Sequence, residues 1–112
     1  MNVKNLELEH CYKNYYHYPP VIQFSNDDFC FNAEGSLYWL NLVNAIDTNT
    51  SNAIHWSSSY GHSSISVKNN VVIFEVIIHT HIYKNRLIFK LPGSACRNAF
   101  IKADRLTTEW KR

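Results

Sequence analysis

Residues 61–91, GHSSISVKNNVVIFEVIIHTHIYKNRLIFKL, decide the fold. They read as three strands joined by two tight turns. Within residues 71–83, β-branched and aromatic side chains dominate, and successive side chains of a strand point to opposite sides of its sheet. Val72, Phe74, Val76, Ile78 and Ile82 make one side apolar. Val71, Ile73, Glu75, Ile77, His79, His81 and Tyr83 share the other and carry every ionisable group of the run.

The flanking segments test this division, because a two-residue hairpin turn fixes which residues stand opposite each other. A turn at Asn69-Asn70 sets Lys68 opposite Val71, Val67 opposite Val72, Ile65 opposite Phe74 and Ser63 opposite Val76. A turn at Lys84-Asn85 sets Tyr83 opposite Arg86, Ile82 opposite Leu87, Thr80 opposite Phe89 and Ile78 opposite Leu91. Apolar meets apolar in both cases, and a one-residue slip would spoil either match.

The same registers assemble the second side. Tyr60, His62, Ser64 and Ser66 line up beside Ile73, Glu75, Ile77, His79 and His81, with Arg86, Ile88 and Lys90 beyond them. His62 stands opposite Ile77 and diagonal to Glu75 and His79, within reach of long side chains. Tyr60, His62, Glu75, His79, His81 and Lys90 are therefore the candidate binding patch.

Outward from this stretch, the remainder reads as more of the same fold. Residues 5–12 alternate as a strand, and YKNYYHYPP is an aromatic loop, since its prolines exclude helix. Tyr15, Tyr16 and Tyr18 join the candidate binding residues because tyrosine orders at little entropic cost in an interface. Covering the open end of the core is the plainer role for these rings. Residues 21–24 and 29–32 form a hairpin around Ser25-Asn26-Asp27-Asp28, a cluster of turn formers whose adjacent carboxylates read as solvated turn residues.

LYWLNLVNAI, residues 37–46, is readable two ways: Trp39, Leu42, Val43 and Ile46 fit a helical stripe, while composition and the preceding Gly35 turn favour a strand. The strand is the expectation adopted. DTNTSN is a loop, and residues 53–58 return to the sheet with Ile54 and Trp56 on one side and His55 on the other. Serines and Gly61 then make a flexible or bulged approach. After Leu91, Pro92-Gly93-Ser94 opens a helix with Ser94 as cap. Its stripe of Cys96, Ala99, Phe100, Ala103, Leu106 and Trp110 is expected to cover Phe74, Val76, Ile78 and Phe89.

The expected fold is thus α+β: one domain spanning residues 1–112, a single mostly antiparallel meander of about six or seven strands, barrel-like in curvature, with one C-terminal helix on one face. At 112 residues the chain is long enough for a core without staples. Its 46% hydrophobic and 14% aromatic content excludes disorder, and a formal charge of +2 without a basic run gives no indication of nucleic acid. Three cysteines, none in a C-x-x-C pair, read as reduced and mostly buried. The opening MNVKNLELEH lacks the pattern of a secretory signal, and no apolar run is long enough for a membrane span, so the default location is cytoplasmic. The sequon Asn49-Thr50-Ser51 then has no consequence.

No catalytic or ligand fingerprint stands out. His79-Thr80-His81 projects two imidazoles from one side of a strand, and with His62 and Glu75 supplies four nominal metal ligands. No H-E-x-x-H, nucleophile elbow or phosphate-binding glycine loop accompanies them. Many tyrosines, low charge and absent catalytic machinery favour a non-enzymatic protein-binding module of the inhibitor, immunity or counter-defence kind. Its partner would be another protein, with self-association left open and no cofactor required. The alternative is a metal- or histidine-dependent enzyme centred on His62, Glu75, His79 and His81.

Overall fold

The computed structural model describes residues 1–6, 21–34, 37–58, 61–80, 82 and 84–110. Seven strands and two helices follow one another in these segments: β1 (Asn2–Asn5), β2 (Val21–Ser25), β3 (Cys30–Glu34), α1 (Trp39–Asp47), β4 (Asn52–Ser58), β5 (Gly61–Lys68), β6 (Val71–His79), β7 (Lys84–Pro92) and α2 (Gly93–Trp110). The class is α+β with antiparallel strands and a C-terminal helix. The strands divide into two sheets, β1-β2-β3 and β4-β5-β6-β7, rather than forming one meander, and the sheets do not close into a barrel.

The large sheet keeps the expected division of faces. In the β5–β6 hairpin Lys68 pairs with Val71, Val67 with Val72, Ile65 with Phe74 and Ser63 with Val76. Asn69 (φ 52°) and Asn70 (φ 61°) both take the left-handed conformation that a two-residue type I′ turn demands and that asparagine tolerates. The β6–β7 register differs from expectation. Val72 pairs with Leu91, Phe74 with Phe89 and Val76 with Leu87, a shift of six residues that removes Thr80 and Ile82 from the ladder. Lys84-Asn85 lies inside β7 and is not a turn. A turn there would force positive φ on lysine, whereas the observed register brings Phe89 opposite Phe74 in the core. Because the shift is even, no side chain changes face.

Residues 37–46 overturn the strand expectation. Trp39–Asp47 is helix, and Trp39, Leu42, Val43 and Ala45 are buried along it. The stripe at helical spacing outweighed the β-leaning composition because it buries a whole tryptophan beside Phe24 and Phe100, with ring centroids 5.3 and 6.2 Å away. The first strand also moves: it is Asn2–Asn5, paired with β2 through Val3 opposite Phe24, and residues 7–12 lie outside the described segments.

The β2–β3 hairpin forms as expected but turns one residue later: Ser25 pairs with Cys30, Phe29 lies in the turn rather than in β3, and the pairing runs on to Val21 opposite Glu34. Its turn is held by Asn26, whose Oδ1 accepts the backbone N–H groups of Asp28 and Phe29 at 2.7 and 3.0 Å.

One aromatic cluster joins the layers. Phe74 lies 5.8 Å from Phe24, 5.3 Å from Phe29, 5.2 Å from Phe31 and 6.3 Å from Phe100, so the inner side of the large sheet meets the small sheet as well as α2. Phe89 stacks on Phe29 at 5.0 Å. The helix therefore shares this side with β2 and β3 instead of covering it alone.

Along α2, Cys96, Ala99, Phe100 and Ala103 are buried as the stripe requires. Ser94 is not its cap: the helix begins at Gly93, directly after β7. Gly93 N–H donates to the Asn70 carbonyl at 2.8 Å, and a Cβ there would collide with the Asn70 side chain. Arg97 then grips Asp47 at the end of α1 with two hydrogen bonds, 2.6 and 2.9 Å, which hold the Asp47 carboxyl below its ordinary range. Cys30, in contrast to expectation, is exposed; Cys96 is buried, and burial pushes its thiol up to about 12 against a smaller opposing pull from the chain's amino terminus.

Candidate functional site

The side of the large sheet that faces away from the core is built by strict alternation. Ala53, His55 and Ser57 of β4, His62, Ser64 and Ser66 of β5, Ile73, Glu75, Ile77 and His79 of β6, and Lys84, Arg86, Ile88 and Lys90 of β7 stand in register across it. Ile73, Glu75 and Ile77 are half-buried in the middle; the histidines and the cations are exposed. No described element lies across this face.

Over β4, β5 and β6 the face sinks into an open depression of about 540 Å³, lined by His55, Ser57, His62, Ser64, Glu75 and Ile77 among others. Gly61 makes the close approach at its end possible, since a Cβ there would run into the Ile77 carbonyl on β6. Ser57 Oγ and His62 Nδ1 are 2.9 Å apart, as direct cross-strand partners. Glu75 is bonded from the other side by Arg86, whose Nη2 donates to Oε2 at 3.0 Å.

His62 thus stands opposite Ile77 and diagonal to Glu75 and His79, as the sequence register implies. His79 closes β6 opposite Lys84, and Lys90 lies opposite Ile73. Tyr15, Tyr16, Tyr18, Tyr60 and His81 lie outside the described residues. Among the described residues, no three His, Cys, Asp or Glu side chains converge as a metal site would require.

Four residues that line the depression, His55, Trp56, Ser57 and Ser63, are absent from the patch that the sequence assembles. His55 and Ser57 belong to the patch because β4 pairs with β5 through Ser57 opposite His62 and His55 opposite Ser64. The signal was present: treating Ser59-Tyr60 as a two-residue turn aligns AIHWSS with GHSSIS in this register.

The electrostatics of the face are one-sided. Among the described residues of this face, Lys68, Lys84, Arg86 and Lys90 oppose the single carboxylate of Glu75, more positive charge than the +2 carried by the entire chain. Chemically the face offers hydroxyls and imidazoles over the depression, aliphatic side chains at the centre and cations along the β7 edge.

A family model described as a family of unknown function (DUF5766) matches residues 22–102, from β2 into α2, and the chain belongs to that family. No curated protein and no solved structure matches it. No helix among the described residues is long and apolar enough to cross a membrane.

Proposed function

We propose that the chain is a non-enzymatic protein-binding module, of the inhibitor, immunity or counter-defence kind, which neutralises another protein through the open face of its large sheet. One observation carries this reading: a four-stranded face that no described element covers, with half-buried Ile73 and Ile77 at its centre and a rim of histidines and cations. Interfaces combine apolar groups near the middle with charged groups toward the rim, and the one central charge here, Glu75, is already paired with Arg86. Ile73 and Ile77 stand outside the core cluster and only half-buried, and a partner that covered them would bury that apolar surface.

The test is paired. Ile77→Glu and His62→Glu change exposed or half-buried groups and should leave the unfolding midpoint in place, yet abolish stoichiometric binding of the chain's native-host target in a purified complex. Undiminished binding by both variants would remove the open face from the reading.

The histidine-dependent enzyme has one observation in its favour, the Ser57–His62 contact. Metal analysis of purified protein, beside His79→Ala and His81→Ala, decides its metal-dependent form: stoichiometric metal lost on substitution supports the enzyme, and none bound in the parent removes that form.

A further inference from the structure

Resting on the protein-binding reading, we infer that the partner contributes an acidic extended segment that adds to the outer edge of β7 as a fifth strand of the large sheet. β7 ends the strand order, and its only ladder among the described residues is with β6. The row of backbone N–H and C=O groups on its other side is a template for a further strand once the Asn85 side chain, whose Oδ1 accepts the Arg86 N–H at 2.8 Å, is displaced. The strand is nine residues long and exposed from Lys84 through Ile88, with Leu87 45% and Ile88 39% accessible.

The charges choose the occupant. Pairing β7 with β7 of a second copy over its full length, about Ile88, sets Arg86 opposite Lys90 twice, and like charges directly opposite are destabilising. Cations on an edge also repel basic strands and discourage neutral ones. The same cations select a strand that brings carboxylates. Arg86 is already shared with Glu75, whereas Lys84 and Lys90 have no carboxylate partner among the described residues. They project from the open face six residues apart, about 20 Å along the strand, with Ile88 between them. An antiparallel segment that fits would therefore be acidic opposite Lys90, apolar opposite Ile88 and acidic again opposite Lys84.

A synthetic peptide with that pattern, and its twin carrying lysine for each acid, test the inference. Binding is followed by fluorescence anisotropy, and amide hydrogen exchange locates it. The acidic peptide should bind at least tenfold tighter than the basic one, lose that preference in the exposed double variant Lys84→Glu/Lys90→Glu, and slow exchange along β7. Equal binding of both peptides, or a dissociation constant weaker than about 1 mM for each, overturns the edge addition. Protection confined to β4 and β5 overturns it too, while leaving the open-face reading intact. Protection of β7 that is insensitive to Ile77→Glu, in a variant whose native target also still binds, supports the edge and removes the face.

Discussion

The two sides of the large sheet share one backbone and alternate residue by residue, yet they have opposite chemistry. Inward, Val72, Phe74, Ile65 and Val67 are buried without a single charge. Outward, serines, histidines and lysines surround a few isoleucines. The inner side is explained by packing: Phe74 and Phe89 have ring neighbours in the β2–β3 hairpin, its turn included, and Phe74 also in α2. The outer side has residues in register with no described element above them.

Substitution can break the contrast most severely at Phe74. Removing this ring deprives four neighbouring aromatics of their common contact, and Phe74→Ala should lose about 3–5 kcal/mol of stability in denaturant unfolding. Phe100→Ala, which opens the junction of Trp39, Phe24 and Phe74, should lose a similar amount; an unchanged midpoint in either variant would contradict the core described above.

A smaller effect should appear in alkali. Burial raises the Cys96 thiol, so the fold favours its neutral form. The stabilisation is complete below the unfolded thiol's value of 9.0 and is lost as pH rises from there towards about 12. Unfolding midpoints measured across that window should fall less steeply in Cys96→Ala than in the parent chain. Parallel profiles would show that the thiol does not feel this burial.

The smallest effect belongs to the outer side. Arg86→Gln breaks an ion pair whose arginine is mostly in water, and should change stability by less than about 1 kcal/mol. A loss as large as that of Phe74→Ala would mean that the outer side is structural after all.

Sequence reading recovered the alternation and lost the places where distance mattered more than parity. The β5–β6 register followed from Asn69-Asn70 because asparagine is one of few residues at ease with positive φ. The β6–β7 register did not, because every even shift sends the same residues inward, and only the partners of Phe74 in three dimensions choose among them. For residues 37–46 the local pattern was divided, and burial of Trp39 against residues 61 positions away along the chain decided for helix. The small sheet was legible as a hairpin but not as a separate layer, since nothing local says which side of Phe24 and Phe31 will face Phe74. His55 and Ser57 join the depression only through the pairing of β4 with β5, because local alternation sets a residue's side of the sheet without naming its partner strand.

The Asn70 carbonyl that receives the Gly93 N–H has a consequence for the order of assembly. All ladders of the large sheet join strands that are neighbours in sequence, so each closes a short loop at little entropic cost. The seat for the first residue of α2 lies in the turn between two of those strands. That turn precedes the helix in the chain, so a hairpin that closed first would present its carbonyl to a glycine with no side chain to obstruct it.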